Sequence, residues 1–306
     1  MPRRRIYLTG AGGLVGSALV PVLAQAGHEV CGGELAGRPL VDVCDAVAIG
    51  ASIAAVRPDW VVHLAAYTAV DQAEHDAAAA VRLNAGGTAN VAAAAAAAAA
   101  RLLYMSTDYV YSGEKSEPYV ETDAPGPVSV YGRSKLEGEM AARAAVPAAL
   151  IVRGGWLYGR EKGFVNTILA LAADPARPLR VVTDEIGCPT AATDLACGLA
   201  ALIAVEAVGI VHLANTGGVS RCDFARETLR MAGADPERVL PTTQEENRRP
   251  ARRPRYSVLD CGRFARLTGA PPRPWTVALA EYLEVSRQRP AAAPDRAVAG
   301  SHGENR

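Results

Sequence analysis

Five short apolar runs, each followed by a helix-length segment, constrain this chain more than any other feature. The runs are "RRIYLTG" (4–10), "HEVCGG" (28–33), "DWVVHLAA" (59–66), "RLLYMST" (101–107) and "AALIVRGGW" (148–156). Between them, Leu14–Ala26, residues 45–58, Asp71 to about Ala100 and Ser129–Ala145 have helical patterns. Unbroken apolar strands alternating with helices of ten to twenty residues argue for a parallel sheet covered on both faces. Pro21 is expected to kink the first helix, and Pro58 to stop the second. Nine consecutive alanines, Ala92–Ala100, need only their high helix propensity as explanation.

After Trp156 the alternation loosens. Helices are predicted over 163–173, 190–206, 220–233 (with Ser220 as N-cap) and Trp275–Gln288, and strands over 178–182 and 209–215. Residues 241–256 are rich in Pro and Arg and show no periodicity. The expected fold is therefore α/β, a Rossmann-like doubly wound parallel sheet with a smaller, interleaved C-terminal substrate-binding domain. Residues 1–155, completed by 179–212, would form the dinucleotide-binding domain. Residues 156–178 and 213–289 would form the substrate-binding domain, and 290–306 have the composition of a disordered tail.

With 32 Lys plus Arg against 32 Asp plus Glu among 306 residues, net charge gives no reason to expect nucleic acid or an anionic membrane as partner. The clusters at Arg3–Arg5 and in "NRRPARRPR" (247–255) read as solvated faces rather than phosphate sites. The six cysteines lack C-x-x-C spacing, and scattered thiols suit a reducing cytosol, so a cytoplasmic location is expected. The basic, then apolar, N-terminus has a secretory look, but four glycines within 10–16 interrupt it, and it is read as the first strand and helix of the fold. No run of 18 apolar residues suggests a membrane span.

"TGAGGLVG" (9–16) joins the first strand to the first helix. Gly10, Gly13 and Gly16 at this place allow a tight turn, bring backbone N–H groups close to a pyrophosphate and aim a helix N-terminus at it. A dinucleotide site follows. Its acidic ribose partner could be Glu34 or Asp42, whereas Arg38 could face a 2′-phosphate; both NADH and NADPH stay open.

Only three of the cations are lysines, and one of them, Lys135, stands four residues after Tyr131. On a helix the two share a face. An ammonium near a phenol favours phenolate, which would make Tyr131 a usable proton donor near neutral pH. Ser106 and Thr107 close the fourth strand, at the edge where ligands bind in open α/β sheets, and a hydroxyl there can bond the reacting oxygen.

Taken together, "TGAGGLVG", "HLAAYTAVDQAE", "STDYVYSGEKSEPYVETDAPGPVSVYGRSKLEGE", "GWLYG", "DEIGCPT" and "ARRPRYSVLD" resemble the dTDP-4-dehydrorhamnose reductases, a family of extended short-chain dehydrogenase/reductases. The resemblance spans about residues 5–285. It implies NAD(P)H-dependent reduction of the C4 ketone of a nucleotide sugar, dTDP-4-dehydro-L-rhamnose. It implies Tyr131 as proton donor, Lys135 on the nicotinamide ribose and lowering the tyrosine pKa, and Thr107 orienting the ketone. Thr107, Asp108 and Trp156 would touch substrate. Gly13, Leu14 and Val15 would lie by the pyrophosphate, Asp42 and Val43 near the adenine, and Ala66, Tyr67 and Thr68 along the cofactor.

Two departures from the family pattern stand out. Gly154 and Gly155 replace bulkier residues before the tryptophan, and Ala18 stands where an acidic magnesium ligand would be expected, so no metal is expected. A monomer or a homodimer is compatible with the resemblance. The rivals are another sugar-nucleotide reductase or epimerase, a dehydratase, and a non-catalytic NADP-binding regulatory subunit similar to the β subunit of methionine adenosyltransferase. A dehydratase would carry Glu where Tyr109 stands.

Overall fold

The computed structural model describes residues 2–32, 35, 40–159, 163–174 and 178–288. Six strands build one parallel sheet: β1 (Arg5–Thr9), β2 (Glu29–Cys31), β3 (Trp60–His63), β4 (Arg101–Thr107), β5 (Leu150–Gly154) and a later strand, Gly209–His212. Between the fifth strand and this one lie four short strands: β6 (Leu157–Tyr158), β7 (Leu179–Val182), β8 (Ile186–Gly187) and β9 (Thr190–Ala191), which makes Gly209–His212 β10. Two more follow, β11 (Val219–Ser220) and β12 (Val239–Thr242). The central order is β10-β5-β4-β3-β1-β2, so the winding direction reverses between β1 and β3, and a ligand crevice opens at such a point.

Successive side chains of each central strand enter opposite layers. Ile6, Leu8, Leu103, Met105, Leu150 and Val152 pack beneath α1 (Leu14–Gln25) and α8 (Ala192–Ala204). Tyr7, Leu102, Tyr104 and Ile151 pack beneath α2 (Ala46–Val56), α5 (Thr88–Ala97) and α6 (Val130–Ala145). This two-sided burial is why the strands read as unbroken apolar runs.

The predicted helix from Asp71 to Ala100 is in fact four pieces: α3 (Val70–His75), α4 (Ala77–Val81), a π-helical turn (Arg82–Gly87) and α5. Asp76 causes the first break, because its carboxylate accepts the Ala79 amide and starts a new helix. The alanine run outlasts its helix: Ala99 takes φ +52°, and the Ala100 amide turns back to the Ala95 carbonyl, freeing Arg101 to begin β4. Propensity alone does not set this end, since the sheet needs the chain back.

Residues 179–212 divide. Strand β7 pairs with β12 in a two-stranded sheet of its own, whereas α8 and β10 join the central sheet. Two further helices are α7 (Phe164–Ala172) and α9 (Arg221–Ala232), which pack on each other. Helix α10 (Gly262–Thr268), which the sequence pattern did not reveal, packs on α8 and β10, and α11 runs from Trp275 to Gln288. Glu34, Arg38 and the 290–306 tail lie outside the described residues.

Candidate active site

A cavity of about 890 Å³ opens at the C-terminal ends of β1, β3, β4 and β5. One end is the glycine turn. Gly10 takes φ +71°, and a Cβ there would sit 2.7 Å from the Ala65 amide nitrogen, so only glycine lets β1 turn against the end of β3. No side chain caps α1 at Gly13. The first-turn residues Gly13, Leu14, Val15 and Gly16 line the cavity, a cradle of backbone amides and helix dipole suited to a pyrophosphate. Ala66 and Thr68 line the same wall.

Three expected cofactor residues are not among those lining it. Asp42 accepts the Cys44 amide in a turn, and Val43 is buried in the core, where a Cβ on Gly87 would press on its methyl at 2.8 Å. Tyr67 is held by its backbone: Asn84 Oδ1 accepts its amide (2.8 Å) and Asn84 Nδ2 donates to its carbonyl (3.1 Å). Asn84 belongs to the π-helical turn and is fully buried, and it also donates to Ser134 of α6 (2.9 Å). The signal for this clamp was "NAGG", a polar residue and two glycines inside a helical stretch.

At the middle of the cavity stand Thr107, Asp108, Tyr131 and Lys135. Ser129 caps α6, its Oγ accepting the Gly132 amide, and Glu74 of α3 accepts the Val130 amide (2.8 Å), which fixes where Tyr131 emerges. The Tyr131 phenol stands beside Thr107, whose hydroxyl favours the ionised form of the phenol. Thr107 Oγ1 donates to Asp108 Oδ1 (3.1 Å) and accepts the Tyr109 amide (3.2 Å), so one hydroxyl caps the short turn that follows β4. Ser106 differs from expectation: its hydroxyl donates to Glu139 Oε1 (2.5 Å).

The expected pKa tuning is not what this geometry produces. Lys135 Nζ donates to the Met105 carbonyl (2.7 Å) and lies 4.1 Å from the centre of the Tyr104 ring. Burial pulls its ammonium down to about 7. Burial likewise pushes the Tyr131 phenol up, aided by the Asp108 carboxylate and Tyr109, while the Thr107 hydroxyl works in the other direction. Desolvation of the phenolate is the largest cause.

Asp108 is buried and held up to about 6 by that burial, although Ser257 donates to its Oδ2 (2.6 Å). Here Gly155 has a steric reason: a Cβ on it would meet the Asp108 carboxylate at 2.6 Å. Trp156 lines the cavity with φ +50°, and the Arg221 guanidinium stacks 3.5 Å from its ring centre.

The far wall was not foreseen. Arg180, Arg221, Arg249 and Arg253 all line it. Arg253 forms a two-pronged pair with Asp71 of α3 (2.6 Å each), and Arg249 pairs with buried Glu185. The "NRRPARRPR" segment thus contributes two guanidiniums to the cavity rather than a solvated face. Four arginines exceed the carboxylates that hold them, a surplus that suits a diphosphate.

A further network lies behind β3. Thr88 donates to the Asn84 carbonyl (2.6 Å), so its oxygen accepts from His63 Nε2 (3.1 Å), and His63 Nδ1 accepts from Thr9 (2.7 Å). Burial, with Lys135 adding to it, pushes His63 down to about 3. Between pH 6.5 and 3 the unfolded chain binds a proton that the fold does not, so this group makes stability fall as pH falls. The expected contribution is about 2 kcal/mol lost by pH 5. Asp108 works in the opposite sense over that interval, so the effect is read as the difference in pH slope between the parent and His63→Gln. Equal slopes would contradict it.

Comparison with known proteins decides the family. The model of the RmlD substrate binding domain family matches residues 4–288. The chain belongs to this family. It is 43% identical over 287 residues to a dTDP-4-dehydrorhamnose reductase of Streptomyces griseus, covering 92% of this chain and 93% of that protein. It is 41% identical over 280 residues to a probable dTDP-4,6-dihydroxy-2-methyloxan-3-one 4-ketoreductase of Streptomyces antibioticus, covering 90% and 94%. Its fold matches the dTDP-4-dehydrorhamnose reductase of Bacillus anthracis in complex with NADP, with a TM-score of 0.86, 34% identity and coverage of 93% and 100%. This member of the RmlD family is an NAD(P)H-dependent oxidoreductase with a Rossmann fold. Among the described residues no helix is long and apolar enough to cross a membrane.

Proposed function

We propose that the chain reduces the C4 ketone of dTDP-4-dehydro-L-rhamnose to dTDP-L-rhamnose, with Tyr131 as proton donor. The observation that carries this reading is Tyr131, Lys135 and Thr107 gathered at the end of β4, in one cavity with the glycine turn and the arginine wall. A bound NADPH or NADH supplies the hydride to C4. Tyr131 gives its proton to the C4 oxygen, so ketone becomes alcohol. Burial keeps that phenol protonated and ready to donate. Thr107 orients the ketone oxygen beside it. Lys135 meets the ribose hydroxyls and, when it does, brings its charge to the tyrosine. Trp156 and Arg221 form one face of the sugar pocket, and the remaining arginines hold the diphosphate. In this reading residues 1–155, completed by α8 and β10, carry the cofactor, and the other segments after Trp156, β7 among them, carry the nucleotide sugar. The scattered thiols favour a cytoplasmic setting.

The purified chain, assayed for loss of reduced nicotinamide with dTDP-, UDP- and GDP-linked 4-keto sugars, tests the reading. Turnover is expected with dTDP-4-dehydro-L-rhamnose. Tight NADPH binding without turnover on any of them would favour a regulatory subunit instead. A second reading is a 4-ketoreductase for a different dTDP-linked sugar. The similarity to the Streptomyces antibioticus protein supports it. Preference for another dTDP-4-keto sugar in the same screen would select it.

A further inference from the structure

Lys135 holds its charge in an unusual place. Among the described residues no carboxylate lies within 4 Å of its ammonium, whose polar contact is the Met105 carbonyl (2.7 Å). The other neighbour is the face of Tyr104, 4.1 Å from Nζ to the ring centre. Such a face attracts a cation, and more strongly where water is excluded. Lys135 and Tyr104 are both buried.

The ring itself is held from several sides. Its hydroxyl faces the Asn84 carbonyl (3.4 Å) and the Lys135 carbonyl (3.3 Å). Its plane lies against His63, with centroids 5.6 Å apart. Gly138 makes room for it, since a Cβ there would meet the tyrosine oxygen at 2.3 Å. Strand β4, α6 and the π-helical turn thus fix one aromatic face under one ammonium.

We propose that Tyr104 is a positioning residue for Lys135, its ring holding the ammonium charged and aimed along the end of β4. The reductase reading gives this a purpose, because there Lys135 serves the reaction, but the geometry stands apart from that reading.

The titratable groups around Lys135 come from every element packed on it. Glu139, one turn along α6, favours its charge, and is itself paired with Arg153 of β5 and bonded by Ser106 of β4. His63 of β3 is neutral, and Tyr131 shares the helix face. Glu74 of α3 is engaged at the Val130 amide, and the π-helical turn presents Asn84, which is uncharged.

The chain has three lysines, Lys115, Lys135 and Lys162, so labelling the lysine ε-carbon yields three NMR signals, assigned with Lys115→Arg and Lys162→Arg. In Tyr104→Leu the Lys135 signal is expected to titrate about one pH unit lower than in the parent. Tyr104→Phe keeps the ring and should titrate with the parent. Tyr104→Met, which fills the space differently, carries the same expectation as Tyr104→Leu if the latter does not fold. An unchanged or raised midpoint in the Leu or Met variant, or a fall in Tyr104→Phe as large as theirs, would overturn the proposal. The readout needs no substrate. A chain inactive on every 4-keto sugar would therefore sink the reductase reading and leave this one standing or falling by its titration.

Discussion

Tyr131→Phe is expected to lower turnover by about 10²–10⁴-fold while cofactor still binds. The variant keeps the ring, and with it the edge-on contact to Tyr109 at 5.9 Å between centroids. What it removes is the phenol hydroxyl that stands beside Thr107 at the end of β4. Loss of a proton donor changes the chemical step, so kcat should fall far more than NADPH affinity, which can be followed by nucleotide fluorescence. Turnover within a few-fold of the parent would take Tyr131 out of the mechanism. The pH dependence carries a second expectation. Burial pushes the phenol up, so an absorbance titration of the cofactor-free enzyme should show no ionisation of Tyr131 near neutral pH.

Glu139→Gln is expected to cost about 3–5 kcal/mol of stability. Arg153 and Glu139 form a two-pronged pair (2.9 and 2.6 Å) with side chains only 3% and 4% exposed. Arg153 also donates to the Tyr111 hydroxyl (2.7 Å), which bonds His212 Nε2 (2.7 Å). The amide would leave a guanidinium buried without its counter-charge, and an unpaired buried charge costs far more than the pair contributes. Adding Arg153→Met to Glu139→Gln should recover part of the loss, because the orphaned charge goes with it. Urea denaturation of the two variants measures this. A loss below about 1 kcal/mol for Glu139→Gln would mean that water or a shifted carboxylate compensates the charge. The network ends at Ser106, beside Thr107, so its loss should also loosen the end of β4.

Much of the fold was legible because it rests on local rules. The inner strands β1, β3, β4 and β5 are buried on both faces, and this double burial wrote four of the five runs into the chain, whereas β2 is a half-exposed edge strand. Gly10 and the first turn could be placed because a glycine spacing between a strand and a helix has few other uses. What escaped was set by neighbours distant in sequence. Helix α10 is short, and its burial depends on α8 and β10. The four-piece helix after β3 follows from Asp76 and from Asn84, whose partners Tyr67 and Ser134 lie 17 and 50 residues away.

The sequence by itself determined the sheet, the glycine turn and the pairing of Tyr131 with Lys135 on one helix face, since these need only propensity, periodicity and a four-residue spacing. Only the tertiary structure decided what those groups feel. It put Arg249 and Arg253 into a cavity wall, because Asp71 and Glu185 draw them there across 182 and 64 residues of chain. It turned the Lys135 ammonium onto a carbonyl and an aromatic face, and raised the Tyr131 phenol instead of lowering it. The reason is common to both. Charge and proton affinity in a buried site depend on how much water is removed and on which dipoles replace it, and that is known only once β4, α6 and the π-helical turn have closed around the side chains.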